Sequence, residues 1–331
     1  MSTILLPEDD RTYPAQFDTA VDLPFPPLVN DRSEAALPGH IEWLSKKTGL
    51  MSRSDVLQRY LEWRGPELGV RWYPECSTDD LQLGMDLMAW LFVLDDYYAK
   101  PDVMPEEARA TFDQLMGVLR RPPGTPVDGP TLVTAFADLW VRECDPMTPA
   151  WRRRAAVNWE EYLQCYVVET DNRTNDAELS VDEYLVLREK SGIMYVLLDS
   201  QERIDHCELP DAVLAAEPVQ QMRSACIWIS NYDQDILSFD KEEAHGDRHN
   251  LVFVLERRRG CTRQQAIDEV RRLIDEQVEL FLSAERKVPA LKAELGLDEE
   301  TAARLDAYVQ SLRAGARACD DWCRTSNRYS A

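Results

Sequence analysis

Three oxygen-bearing side chains at four-residue spacing mark a candidate site for a divalent cation. Gln234, Ser238 and Glu242 stand at positions i, i+4 and i+8 of the segment QDILSFDKE. Each four-residue step on an α-helix overshoots a full turn by about 40°, so the three side chains share one face. One carboxylate and two neutral oxygens suit Mg²⁺, which keeps open positions for phosphate oxygens or water. The segment therefore predicts one half of a metal and diphosphate site.

An acidic pair upstream predicts the other half of this site. Asp95 and Asp96 directly follow the apolar run at residues 91–94. Carboxylates at the end of a buried helix lose hydration unless something cationic neutralises them, which favours a metal site. The alternative is a helix that ends in solvent, where the two aspartates are merely exposed. One turn further on there is no third carboxylate, since the next acid is Asp102.

The composition excludes some classes of partner. The chain of 331 residues has 37 basic and 60 acidic side chains, which give a net charge of −23 at pH 7. Phosphate backbones and anionic membranes attract clusters of Lys and Arg, so this balance argues against nucleic acid and membrane surfaces as partners.

The cysteines and the first residues predict a cytoplasmic location. The eight cysteines have irregular spacing and form no CxxC pair, which favours reduced thiols. The start lacks a basic segment followed by a long apolar core, and no apolar run is long enough to span a bilayer. We expect a cytoplasmic protein without a membrane span.

The pattern of apolar residues predicts an all-α fold that positions these groups. Leu, Trp and Met recur at three- and four-residue spacing, and alternating strand patterns are missing. We predict a Pro-rich extended arm at residues 1–40 and one bundle of ten or more helices at residues 41–331. The segment 79–98 is apolar nearly all round, which predicts a buried helix. Further helices are predicted at residues 149–168, 181–199, 219–243, 263–285 and 299–322.

Both acidic segments resemble the metal motifs of the bacterial class I terpene synthases. The family's second motif, (N/D)DxxSxxxE, matches QDILSFDKE at every position except the first, Gln234. The family's aspartate-rich motif, DDxxD or DDxxx(D/E), matches residues 95–100 only in its first two acids. The segment AHGDRHN at residues 244–250 is also similar to what commonly follows the second motif.

Further matches lie outside the two motifs. Tyr184 and Arg188 fit the Tyr-Leu-x-x-Arg pattern of the family's diphosphate-sensing arginine, at the family's separation from the second motif. Ser191 and Gly192 occupy the positions called linker and effector, where a helix break would turn a carbonyl oxygen into the cavity. The family's C-terminal Arg-Tyr pair corresponds to residues 328–329.

The resemblance implies a single-domain α-helical terpene cyclase that uses three Mg²⁺ ions to ionise a linear isoprenoid diphosphate. Neutralising the leaving group requires metal ions and hydrogen-bond donors. By resemblance, Asp95 bridges two ions, and the third is held by Gln234, Ser238 and Glu242. Gln234 replaces Asn, so its amide oxygen lies one methylene farther from the backbone.

The resemblance also implies roles around these ligands. By resemblance, Gly192 at the effector position is a catalytic residue, as are the residues that donate hydrogen bonds to the diphosphate. Asp96 is expected to form a salt bridge to a diphosphate-binding arginine, while Ser191 and Asp235 support the site from behind. The expected diphosphate donors are Arg188, Lys241, Arg328 and Tyr329. Aromatic faces stabilise carbocations without attacking them, and the candidates, for which ordinary core packing is the alternative, are Phe92, Trp63, Trp228 and Trp322.

Several alternatives remain open at the level of sequence. A chain-elongating prenyltransferase has a similar fold but needs two Asp-rich motifs, and a non-catalytic isoprenoid-binding protein would explain the two atypical motif positions. His245 and His249 lie one turn apart but lack the HExxH arrangement of a zinc site. The substrate is a C15 or a C20 diphosphate, farnesyl or geranylgeranyl, giving a sesquiterpene or a diterpene. The oligomeric state is also open, with a homodimer as one alternative.

Overall fold

A computed structural model describes residues 17–98 and 103–328, except for the side chain of His245, and every regular element in these ranges is helical. The prediction of an all-α fold is confirmed. The helices in chain order are α1 (Ser33–Glu42), a π-helical turn (Trp43–Lys47), α2 (Ser54–Glu62), α3 (Gly65–Trp72), α4 (Thr78–Tyr98), α5 (Pro105–Leu119), α6 (Thr131–Cys144), α7 (Pro149–Thr174), α8 (Val181–Ser191), α9 (Met194–Ile204), α10 (Asp211–Leu214), α11 (Glu217–His245), α12 (Leu251–Arg259), α13 (Arg263–Glu285), α14 (Val288–Glu294) and α15 (Glu299–Thr325).

The two helices that carry the predicted motifs run through the core. Helix α4 is buried on nearly every side, as its composition predicts, and Leu81, Leu87 and Trp90 have no exposed surface. Helix α11 spans 29 residues and packs against α13 and α15. Its buried Ile229 and Ile236 contribute to that packing. The core therefore fixes both motif helices before any ligand is considered.

The helix predicted over residues 181–199 is divided into α8 and α9. A capping box of Ser180 and Glu183 begins α8. The helix ends at Gly192, where the resemblance implies a break, and Ile193 follows with a φ of 64°. Because an L-residue in this left-handed region cannot continue an α-helix, the chain starts a new helix at Met194.

The extended arm is shorter than predicted. Residues 17–32 form no regular element apart from a short turn, but α1 begins at Ser33 and contains Pro38, so the predicted boundary at residue 40 is wrong. The loss of one N–H at Pro38 is tolerated because burial of Ala36 and His40 anchors α1 on both sides. The described part of the arm lies against α13, where the rings of Phe25 and Phe281 are 5.1 Å apart. No helix in the described ranges is long and apolar enough to cross a membrane.

Candidate active site

A cavity of about 150 Å³ lies between α4, α7, α11, α15 and the break that separates α8 from α9. It is roughly ten times the space that one buried water needs, so it is large enough for an organic ligand. Its walls combine an apolar interior with a charged rim. The rim includes the side chains of Asp95, Arg188, Gln234 and Arg328.

On one side of the rim, Arg328 joins the acidic pair at the end of α4. Its Nη2 donates to Asp95 Oδ2 at 2.9 Å and to Asp96 Oδ1 at 2.7 Å. The guanidinium lies between the rings of Trp63 and Phe92, whose centroids are 4.8 and 4.9 Å away. The structure therefore pairs Asp96 with Arg328, while the predicted ion pair concerns the closed form with diphosphate bound and stays a prediction. Tyr329 lies outside the described residues.

Two of the four predicted cavity aromatics line the cavity. Phe92 and Trp322 stack with their centroids 5.2 Å apart and both face the interior. Trp63 contacts Arg328 instead of the cavity. The placement of Trp228 in the cavity is wrong, since this residue stacks on Tyr232 and is absent from the lining. At 100° per residue it points about 110° away from the face of α11 that does line the cavity.

On the other side of the rim, Arg188 is braced against α11. Its Nη2 contacts Gln234 Oε1 and Asp235 Oδ1, each at 2.8 Å. Asp235 in turn accepts hydrogen bonds from the Tyr184 hydroxyl at 2.6 Å and from the Leu251 backbone N–H at 3.1 Å. Burial raises the pKa of Asp235, while Arg188 and these donors act in the opposite direction. Asp235 thus holds Arg188 through buried contacts, and its role in support of the site stays a prediction.

The helix break beside Arg188 depends on a close approach between backbone and side chain. A Cβ on Gly192 would lie 2.0 Å from Asn231 Oδ1, so a larger residue there would require the Asn231 side chain to move. Asn231 Nδ2 also donates to the carbonyl of Arg188 at 3.3 Å. Ser191 and Gly192 both line the cavity. Asn231 was missed by the sequence reasoning, although it stands three residues before Gln234, within one turn of the motif.

Three of the four predicted metal ligands, Gln234, Ser238 and Glu242, lie along one face of α11. Ser238 Oγ donates to Glu242 Oε1 at 2.8 Å, and Asn250 Nδ2 donates to Glu242 Oε2 at 2.8 Å. Burial raises the pKa of Glu242 to about 7, and the negative charges of Asp235 and Asp247 add to this effect. Asn250 was also missed. The signal was its place in the AHGDRHN segment, just before α12, where its side chain caps the helix.

This donor set fits a hard divalent cation. All the candidate ligands present oxygen, and the carboxylate of Glu242 lies in an environment that is short of positive charge. In this structure Gln234 Oε1 is directed at Arg188, so Gln234 connects the arginine and the candidate ligands. Lys241 is half-buried on the same helix. His249, considered for zinc, contacts Asp247 through Nδ1 at 2.9 Å.

Comparisons with known proteins agree with this geometry. The family described as "Terpene synthase family 2, C-terminal metal binding" matches residues 86–279. A (−)-β-caryophyllene synthase of Saccharothrix espanaensis is 34% identical over 95% of this chain and 89% of its own length. A pentalenene synthase of Streptomyces avermitilis is 32% identical over 95% of this chain and 94% of its own length.

Solved structures give the same result. The crystal structure of an α-eudesmol synthase superposes with a TM-score of 0.84 at 28% identity and covers 93% of this chain and 99% of that one. A linalool/nerolidol synthase from Streptomyces clavuligerus has a TM-score of 0.84 at 27% identity, covering 92% of this chain and 100% of that one. With its two motif helices facing one cavity and these relatives spanning nearly its whole length, the chain belongs to the bacterial class I terpene synthases.

Proposed function

We propose that this terpene synthase ionises farnesyl diphosphate with the help of Mg²⁺ and cyclises the cation to a sesquiterpene, releasing diphosphate. The observation that carries the proposal is the shape of the cavity, in which a charged rim surrounds an aromatic interior. The C15 substrate is favoured because relatives such as the caryophyllene synthase are named for cyclising (2E,6E)-farnesyl diphosphate.

The rim would bind the diphosphate from two sides. Arg188 and Arg328 are largely buried, and each offers a planar fork of N–H donors that matches phosphate oxygens. By resemblance, Lys241 and Tyr329 would add further donors. The residues that would hold Mg²⁺ are Asp95, Gln234, Ser238 and Glu242. When bound, Mg²⁺ would neutralise diphosphate oxygens and so make diphosphate a better leaving group.

The interior would protect the cation after ionisation. Phe92 and Trp322 present aromatic rings whose π-electrons stabilise positive charge without forming a bond to it. Met194 and Leu197 line the cavity as apolar side chains that exclude water. Gly192 lies at the helix break, where its backbone N–H donates to the Arg188 carbonyl at 3.0 Å, so diphosphate binding at Arg188 would be sensed there.

One set of incubations tests this function against the alternatives. The purified chain is mixed with farnesyl or geranylgeranyl diphosphate, with Mg²⁺ or with EDTA, and extracts are analysed by gas chromatography and mass spectrometry. We expect a cyclic C15 product that requires Mg²⁺. A longer diphosphate formed with added isopentenyl diphosphate would instead indicate chain elongation. Calorimetric binding of the substrate without any turnover would indicate a non-catalytic binding protein.

A further inference from the structure

Two cysteines of α15 lie side by side on the wall of the cavity. Cys319 and Cys323 both line it, and their sulfur atoms are 3.8 Å apart. Both thiols are free. Other buried thiols, such as those of Cys207 and Cys226, donate instead to backbone carbonyls at 3.7 and 3.4 Å. The pair on α15 therefore presents two neighbouring sulfur ligands at a surface that faces the cavity.

The separation of the two sulfur atoms matches that of two ligands on one tetrahedral metal ion. Zinc–sulfur bonds of about 2.3 Å at the tetrahedral angle place two sulfur atoms about 3.8 Å apart. A disulfide fits this position less well. Residues one turn apart on a helix have Cβ atoms about 5–6 Å apart, whereas the Cβ atoms of a disulfide are about 3.5–4.5 Å apart. The geometry therefore favours a shared cation over oxidation of the pair.

Two buried acidic side chains lie near this pair, Asp233 on α11 and Asp320 on α15. The carboxylate of Asp233 has no hydrogen-bond partner among the described groups, and its contact to Arg324 is 4.0 Å long. Burial raises the pKa of Cys323 well above its usual value, and the contact with Cys319 and the charges of Asp233 and Asp320 add to this effect. Negative charge that disfavours a thiolate favours a cation at the same place, because the cation neutralises the thiolate.

We propose that Cys319 and Cys323 bind a soft divalent cation, such as Zn²⁺ or Cd²⁺, inside the cavity. The ion replaces the two thiol protons, which leave to solvent, and nothing is oxidised or reduced. The described residues contain no cluster of three or more His, Cys, Asp or Glu side chains that could hold a metal ion, so water completes the coordination. A site with two protein ligands binds more weakly than a structural zinc site, and its ion exchanges. Mg²⁺ prefers oxygen ligands, so it does not compete for the two sulfur atoms.

An ion bound to this pair would obstruct the proposed reaction. Cys319 and Cys323 flank Trp322, whose ring stacks on Phe92 and faces the interior of the cavity. This consequence rests on the proposed function, because the interior is where the hydrocarbon chain of the substrate would lie. An ion there takes up space, and its positive charge repels a carbocation. We expect Zn²⁺ and Cd²⁺ to inhibit turnover in competition with farnesyl diphosphate, even at saturating Mg²⁺.

The test detects the metal–sulfur bond directly and does not depend on any activity. The reduced chain is titrated with Cd²⁺ in excess Mg²⁺, and the ultraviolet absorption of cadmium–thiolate bonds is recorded. We expect this absorption to saturate in the wild type. Cys319→Ser should lower the affinity for Cd²⁺ at least about tenfold, since even the loss of a group that only supports a metal ligand costs about 10–100-fold. Cys261→Ser is the matched control, because this half-buried thiol donates to the Leu255 carbonyl away from the cavity, and it should leave the titration unchanged.

Cys319 is half-buried, so Cys319→Ser is expected to fold, and circular dichroism checks this. Cys323→Ala is a second variant that should also lose the absorption. The inference would be overturned by the absence of cadmium–thiolate absorption in the wild type, or by an absorption that persists in both variants. Either result leaves the proposed function intact, because product formation with Mg²⁺ alone tests that function. A folded wild-type chain that binds Cd²⁺ through these thiols but forms no terpene would overturn the proposed function and support the metal site.

Discussion

The two sides of the cavity rim are held in different ways. The carboxylates of Asp95 and Asp96 are 50% and 45% exposed and share one guanidinium, that of Arg328, which follows the last helix. On the α11 side, Asp235 is 1% exposed and is fixed by contacts from Arg188, Tyr184 and the start of α12. Among the described residues, the acidic pair on the α4 side has Arg328 as its partner. The α11 side is braced by its neighbours.

This difference separates a preformed side from an exchangeable one. Arg328 neutralises the acidic pair in this structure, and we propose that it also binds the diphosphate. Both roles are compatible if Asp95 exchanges Arg328 for Mg²⁺ when the diphosphate binds, while Asp96 keeps its ion pair with Arg328. On the α11 side, Arg188 keeps its buried contact to Asp235, while Gln234 Oε1, which it also contacts in this structure, would turn to Mg²⁺. We therefore expect Asp95 to exchange its partner on binding, and the Arg188–Asp235 contact to remain.

The largest expected effect is a difference in stability between two single variants, each of which neutralises one carboxylate on one side of the rim. Asp235→Asn leaves the Arg188 guanidinium buried without its carboxylate, which should lower the free energy of unfolding by about 3–5 kcal/mol. Asp95→Asn should lower it by less than about 1 kcal/mol, since Asp95 is half exposed and Arg328 keeps Asp96 as a partner. Urea unfolding of both variants without metal measures the difference. Equal losses would show that the two sides are not held differently.

The sequence predicts the α11 side better than the α4 side, for a physical reason. Gln234, Ser238 and Glu242 belong to one helix, so their spacing alone defines a common face. The Asp235–Arg188 contact joins two helices, and the sequence indicates it only through the family pattern. The contact between the acidic pair of α4 and Arg328, more than 200 residues away, is likewise indicated only through the family pattern, which predicts an arginine partner for Asp96.

Other features were missed because they depend on packing. Trp228 was one of the candidate aromatics for the cavity, but the direction of its side chain depends on how α11 is rotated in the bundle. Asn231 and Asn250 were missed because each acts through contacts to another element, Gly192 in one case and Glu242 in the other. The all-α fold was predictable because apolar periodicity is local. The rotation of each helix about its own axis was not predictable, because it is determined by contacts with other helices.

The second prediction tests whether the α11 side is the metal-binding half. Glu242→Gln preserves shape but removes the negative charge, so turnover should fall by about 100–1000-fold while the fold remains intact. Glu243→Gln is the matched control, because its carboxylate pairs with Arg263 away from the cavity and should leave turnover nearly unchanged. Steady-state assays and circular dichroism measure the two effects. Full activity in Glu242→Gln would contradict the assignment of this ligand.

A third prediction concerns the bracing behind Arg188. Tyr184→Phe removes a buried hydrogen bond to a carboxylate and should lower the free energy of unfolding by about 1.5–3 kcal/mol. Tyr98→Phe is the matched control, since the Tyr98 hydroxyl donates to a neutral backbone carbonyl and its loss should be about 1 kcal/mol. Only Tyr184→Phe should also raise the KM for the diphosphate substrate. A similar KM change in both variants would mean that Tyr184 does not position Arg188.

The smallest expected effect on activity comes from Gln234→Asn. This variant is also the most direct test of how the α11 side of the rim binds metal. The shorter side chain withdraws the amide by one methylene from Arg188, which keeps Asp235 as its partner, so the brace should survive. Asparagine is the residue that the family motif carries at this position, so activity should stay within about threefold of the wild type or increase. The Mg²⁺ concentration for half-maximal activity is measured for this variant and for the surface control Gln221→Asn. A loss as large as that of Glu242→Gln would show that the α11 side has adapted to glutamine and that its contact with Arg188 is required for metal binding.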